Sequence, residues 1–288
     1  MARARQPDEV GFVERDGVHV HWERCGTGER TILFLPTWEI VPSRCWKFQV
    51  AGLARHFRVL TFDPRGHGLS DRPQEIQAYD RRQFVDDAIA VLDINDVERA
   101  VFVSWCSPAG IMLAAEHPDR VTGIVEIATD LPLTKDPGIA QGYPFDEALD
   151  SDHGWAKFNR HYWLRNWRGF VEFFFAQTFT EPHSTKQFDD AVGWALETDA
   201  ATVLRGMDAD WPEDPGQACE LCARVRCRAL VLQGSEDAVV GRDRGRAVAA
   251  AIPASHLVTF QGSGHAPHMR DPVMVNHLVR AFAGGLSA

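Results

Sequence analysis

The segment Ala100–Pro108, AVFVSWCSP, continues into AGIMLAA at 109–115 and reads as a short buried strand, a sharp turn and a helix. Cys106 stands at the tip of the turn. The order of elements is that of a nucleophile elbow, G-x-S-x-G, in which the flanking positions must be small because the turn is strained. Ser104 meets that need, and Pro108 is an unusual but compact substitute. A thiol at the start of a helix feels the positive end of its dipole, so the sequence predicts a Cys106 biased toward thiolate.

Outward from this turn the chain alternates strands with helices. Gly11–Arg15 and Val18–Arg24 meet at Asp16-Gly17, a hairpin signal. Thr31–Leu35, Arg58–Phe62, Ala100–Val103, Val121–Ala128, Ala229–Leu232 and Leu257–Phe260 are short apolar runs that read as buried strands. Phe84, Ala88, Val91 and Leu92 share one helical face, Ile111–Ala115 continues as a helix, and Val275, Leu278, Val279 and Phe282 line a closing helix. Buried strands alternating with amphipathic helices predict an α/β fold whose mostly parallel sheet is covered on both faces.

The alternation breaks between about Leu133 and Pro215. Aromatic residues crowd this stretch: Trp155, Phe158, Tyr162, Trp163, Trp167, Phe170, Phe173, Phe174, Phe175, Phe179, Trp194 and Trp211. It predicts a helical insertion between two strands, most of its rings forming its own core and a few lining an apolar pocket. The expected division is 1–132 and 216–288 for the core and 133–215 for the insertion.

Ligands of open α/β sheets bind at the carboxyl ends of the strands. The strand Ala229–Leu232 ends in Gln233-Gly234-Ser235-Glu236-Asp237, and Leu257–Phe260 ends in Gly262-Ser263-Gly264-His265. A cysteine, an acid and a histidine thus follow three strands in the order nucleophile, acid, base. Asp130, past Val121–Ala128, is an alternative acid. His268 is an alternative histidine, and Ser107, one residue beyond the tip, points into the helix.

Composition narrows the function classes. The 288 residues carry 40 acids against 30 bases, a net charge of −10, which argues against a nucleic-acid or anionic-membrane partner. Hydrophobic residues make up 45% and charged residues 24%, so the chain has enough apolar surface to fold without staples. The N-terminal MARARQPDEV lacks an apolar stretch and is not expected to be a secretory signal. Six cysteines are too few for a secreted disulfide scaffold and predict a reduced, cytoplasmic protein. Cys219, Cys222 and Cys227 lack a fourth partner at metal-ligand spacing, so no metal is expected.

Four segments together resemble the α/β-hydrolase superfamily over nearly the whole chain. Thr61–Ser70, TFDPRGHGLS, matches its D-x-R-G-x-G-x-S loop. Val101–Pro108 with Ala114–Val121 matches the elbow and its helix. Leu230–Asp237 matches the acid-bearing strand end, and Gly264-His265-Ala266-Pro267 with Asp271-Pro272 matches the histidine loop. The resemblance implies an eight-stranded sheet with the insertion as a helical cap, no cofactor, and a Cys106–His265–Asp237 triad acting on a small-molecule substrate. It also implies bracing roles for Asp63 and Arg65.

The sequence departs from the family in three places. Cys106 replaces the usual serine, as in dienelactone hydrolases and certain thioesterases. This favours esters, thioesters or lactones as substrates. Pro36-Thr37-Trp38 stands where the family usually has His-Gly-x, and the oxyanion-hole amides are assigned to Trp38 and Ser107. Pro108-Ala109 replaces a glycine pair, and the elbow helix is short. Thr37, Trp105, Trp163 and Trp167 are the expected substrate contacts. An acyltransferase or cyclase on the same scaffold, and a non-catalytic ligand-binding protein, are the alternative readings.

Overall fold

The computed structural model describes residues 5–134, 142–209 and 214–286. Eight strands form one sheet: β1 (Glu9–Arg15), β2 (Val18–Cys25), β3 (Thr31–Phe34), β4 (Arg58–Phe62), β5 (Ala100–Trp105), β6 (Val121–Ile127), β7 (Arg228–Gly234) and β8 (Ser255–Phe260). Their order is β1-β2-β4-β3-β5-β6-β7-β8. The β1–β2 and β2–β4 pairs are antiparallel and all the others parallel. The β1–β2 turn puts Asp16 at φ 53° and Gly17 at φ 76°, the two positive values a tight hairpin requires.

Helices α1 (Lys47–Leu53), α2 (Arg81–Ile94) and α3 (Ala109–Glu116) lie in the first half. Helices α4 (Arg160–Arg165), α5 (Trp167–Thr178), α6 (Thr185–Ala195) and α7 (Ala200–Asp208) lie between β6 and β7. They are followed by α8 (Pro215–Arg224), α9 (Arg242–Ala251), α10 (Pro267–Arg270) and α11 (Pro272–Gly284). Strand residues alternate faces, and the two cores follow that period. Val101, Val103 and Trp105 of β5 join the core that holds α11 and the aromatic insertion. Ala100 and Phe102 join the core under α2, α3 and α8.

The sequence reading and the structure differ in two ways. Strand β8 is an edge strand in which only Phe260 is buried, so its apolar residues cover one side and leave the other to solvent. Helices α1 and α9 have no counterpart in the pattern reading. The RDRGRAVAAA of α9 covers the sheet with small residues that make a weak apolar stripe. Trp211 lies outside the described residues. No helix among those described is long and apolar enough to cross a membrane.

The Asp63–Ser70 loop shows why its residue types recur. Asp63 Oδ1 accepts from the Ser43 amide (2.9 Å) and hydroxyl (2.6 Å), and Oδ2 accepts from the Leu69 amide at 3.0 Å. Gly68, at φ +59°, could not carry a side chain: a Cβ would stand 2.1 Å from Asp63 Oδ2. Arg65 makes two parallel bonds to Asp87, each 2.8 Å, with both side chains buried. Removing one partner strands a buried charge. Arg65→Met is expected to lower the stability by about 3–5 kcal/mol in urea unfolding. A loss under 1 kcal/mol would mean that Arg15, also bonded to Asp87, carries the carboxylate alone.

Candidate active site

Cys106 directly follows β5 with φ 50°, the left-handed conformation that L-residues avoid. Such strain typically costs on the order of 1–3 kcal/mol and persists where the surroundings enforce it. Here the Cys106 amide donates to the Ile127 carbonyl at 2.9 Å, and α3 begins three residues later. The residue remains partly accessible, while its thiol is buried and hydrogen-bonds to His265.

His265 is held from three directions. Its Nδ1 lies 2.9 Å from Asp237 Oδ2. Its carbonyl accepts from Trp105 Nε1 at 3.0 Å, and its amide donates to the Thr178 carbonyl at 3.0 Å. Strand β5, the β7 loop and the insertion therefore all position one imidazole. Asp237 is buried but fully engaged: Oδ1 accepts from the Val239 and Val240 amides (2.9 and 3.1 Å), and Oδ2 also accepts from Gln233 Nε2 at 2.8 Å. Burial alone would raise its carboxyl; His265 and the two amides outweigh that and hold it below the usual carboxylate range. Burial lowers the His265 pKa, but the Asp237 charge and then Cys106 raise it above the ordinary imidazole value.

The surroundings oppose the bias toward thiolate that the helix start gives Cys106. Burial pushes the Cys106 thiol up, more than His265 pulls it down, and Asp130 and Asp237 add to the rise. Burial of the site therefore works against the charged form of Cys106, while His265 favours it. Alkylation of Cys106 by iodoacetamide is accordingly expected to be slow at pH 7 and to keep rising above pH 9, the ordinary thiol value. Peptide-resolved mass spectrometry across pH 6–10 checks this, and a plateau below pH 7 would contradict it.

The amides of Trp38 and Ser107 find no acceptor among the described residues, as an oxyanion hole requires. The Ser107 hydroxyl is buried and accepts from the Ala109 amide at 3.3 Å, so it faces the helix start. The Thr37 carbonyl accepts from the buried Arg81 at 3.4 Å, and Arg81 in turn faces Glu39, Cys106 and Asp130.

The alternatives considered from sequence are placed elsewhere. Asp130 is bound to Arg244, not to an imidazole. His268 lies between Trp46 and Trp105, with ring centroids 4.7 and 4.6 Å away, and burial lowers it to about 3. Among the proposed substrate contacts, Trp105 is buried behind the triad and braces His265. Trp163 has no exposed surface and packs within the insertion, with Trp38, Phe158 and Phe170 among its ring neighbours. Trp167 is half-buried and donates to the Ala195 carbonyl. Cys222 is buried in the core and Cys219 is exposed. Among the described residues no cluster has the make-up of a metal site.

Sequence reasoning misses several groups around the site. Glu126 lies beneath the elbow, accepting from Ser104 Oγ (2.7 Å) and Thr129 Oγ1 (2.8 Å), and burial raises it to about 7. Thr178 and Glu181 reach the histidine loop from the insertion. None of these carries a local motif, because their partners are distant in sequence.

A profile of the alpha/beta hydrolase fold matches residues 31–272, and the chain belongs to this family. Over 241 residues it is 25% identical to the 2-hydroxymuconate semialdehyde hydrolase of Pseudomonas sp., covering 82% of this chain and 80% of that protein. It is 34% identical over 111 residues to epoxide hydrolase B of Mycobacterium tuberculosis, 38% of this chain, and spans only 31% of that relative's length. Among solved structures, Est816, described as an N-acyl homoserine lactone degrading enzyme, superposes with a TM-score of 0.75 at 25% identity, covering 94% of this chain and 100% of Est816.

Proposed function

We propose that the protein is a hydrolase that cleaves an ester, thioester or lactone of an apolar small molecule through Cys106, His265 and Asp237. The observation that carries this reading is a strained elbow thiol on an imidazole whose far nitrogen is 2.9 Å from a buried carboxylate. Cys106 Sγ attacks the acyl carbon as its proton passes to His265 Nε2. The Trp38 and Ser107 amides receive the negative oxygen. The tetrahedral carbon expels the alcohol or thiol, which takes the proton back from His265. Water, deprotonated by the same nitrogen, then attacks the thioester, and Cys106 leaves and is reprotonated.

The nucleophile also separates acyl substrates from epoxides. Opening an epoxide on Cys106 would leave a thioether, which has no carbonyl for water to attack, so the enzyme would be consumed after one event. An acyl thioester hydrolyses. Intact-protein mass after brief exposure to aryl esters, acyl thioesters and lactones tests the reading. An acyl adduct or turnover supports it; a permanent alkyl adduct with an epoxide and neither outcome with acyl compounds would overturn it.

Acyl transfer is the second reading. Trp38 packs against Trp163, Phe158 and Phe174 of the insertion, which places apolar rings beside an oxyanion amide. Such surroundings favour an alcohol or amine over water as acceptor. Product analysis with and without added alcohol distinguishes the two. A nucleophilic thiol and six unpaired cysteines support a reducing, cytoplasmic setting.

A further inference from the structure

Two of the places where core and insertion meet involve loops that carry motif residues. In one, the Asp63–Ser70 loop is tied down: His67 Nε2 contacts the Trp194 carbonyl at 3.0 Å, and Thr198 Oγ1 donates to the Gly66 carbonyl at 3.1 Å. In the other, the insertion grips the loop that carries His265. The Gly264 amide donates to Glu181 Oε1 at 2.6 Å, and Ser263 Oγ donates to the same oxygen at 3.2 Å. Glu181 Oε2 accepts from Ser184 Oγ, also 3.2 Å, which anchors the carboxylate to the start of α6. Gly264, Ser263, Glu181 and Ser184 are all buried. The approach is close: a Cβ on Gly264 would fall 2.8 Å from the Thr178 carbonyl oxygen and from Thr180 Oγ1.

We propose that Glu181 is a positioning residue through which the helical insertion holds the His265 loop in register with Cys106. The proposal rests on reading His265 as the general base. The Asp237 bond sets how the imidazole is turned, but it does not set where the loop stands. On the core side the loop is fixed by Trp105 Nε1 on the His265 carbonyl and by the Glu236 amide on the Ser263 carbonyl at 2.9 Å. On the opposite side the Thr178 carbonyl and the Glu181 carboxylate complete the hold. Both loop donors converge on one acceptor oxygen, so the hold depends on where that oxygen stands. Losing that oxygen leaves a buried Gly264 amide without a partner, and the loop must move to find one. A displacement on the order of 1 Å at a catalytic group costs about 10²-fold in rate.

The test compares Glu181→Ala, Glu181→Gln and Glu181→Asp with the parent protein in two assays. The first is hydrolysis of p-nitrophenyl butyrate. The second is the pH profile of Cys106 alkylation by iodoacetamide, which reports whether His265 faces the thiol and needs no substrate. Glu181→Ala is expected to lower kcat about 10²-fold with KM unchanged, and to move the alkylation profile to higher pH. Glu181→Gln keeps an acceptor oxygen in place and recovers both readouts. Glu181→Asp keeps the charge but withdraws the acceptor by one carbon, and behaves as the alanine variant does. Parent-like profiles in Glu181→Ala or Glu181→Asp would overturn the proposal. So would equal impairment of Glu181→Gln and Glu181→Ala accompanied by a lowered Tm, which is the signature of a purely structural carboxylate. If the parent protein fails to hydrolyse the ester, the acyl-hydrolysis reading is what suffers, and the alkylation profiles still decide the role of Glu181.

Discussion

Cys106→Ala is expected to remove turnover of activated acyl substrates by about 10⁴-fold or more, and to abolish any acyl adduct seen by intact-protein mass. The size of the loss follows from the arrangement. His265 and Asp237 can polarise a water molecule, but without Sγ there is no covalent intermediate, and one hard step is no longer divided into two. The oxyanion amides remain, so a small residual rate above the uncatalysed reaction is expected. Alanine removes one sulfur from a partly accessible residue with positive φ and leaves the backbone bond to Ile127 in place. Stability should therefore change little, and an unchanged Tm makes the kinetic loss attributable to chemistry. Retention of more than a tenth of the activity would eliminate Cys106 as the nucleophile.

Asp237→Asn is expected to lower kcat by about 10⁴-fold with little effect on KM. The carboxylate makes four kinds of contact: the Val239 and Val240 amides, Gln233 Nε2 and His265 Nδ1. All four partners donate, so an acceptor-only group is required. An asparagine must aim its NH₂ either at the two amides or at Gln233 and His265. The first choice breaks the turn after β7. The second forces Nδ1 to accept, which puts the proton on Nε2 and leaves the imidazole unable to take one from Cys106. Either way the raised basicity of His265 that Asp237 supplies is lost. Steady-state kinetics with an aryl ester over pH 6–10 checks this. A variant with parent-like kcat at neutral pH would mean that Asp130, not Asp237, supports the base.

The three positions proposed as a triad were legible because each sits at a strand end with a turn signal, and because they follow one another in the order nucleophile, acid, base. Glu126, Glu181 and Arg81 were not legible. Each acts on a residue far away in the chain: Glu126 on Ser104, Glu181 on Gly264, Arg81 on Thr37. A carboxylate or guanidinium with a distant partner looks, in one sequence, like any surface charge. The aromatic run of the insertion showed the opposite difficulty. Its composition announced a core, but the rings to be found inside it depended on helix packing. Trp163, expected at the pocket, is sealed among Phe158, Phe170 and Trp38.

Local chemistry along the chain was enough to determine the strands, their alternation with helices, the elbow at Cys106 and the order of acid and base, since each depends on residues within one or two turns of backbone. Tertiary structure alone decided the burial of the Cys106 thiol and the placement of His265. The helix start near Cys106 favours thiolate locally, and burial by the whole surrounding shell pushes the other way. The loop of His265 is set by β5, β7 and the insertion acting together, and burial and convergence of that kind exist only after the chain has closed on itself.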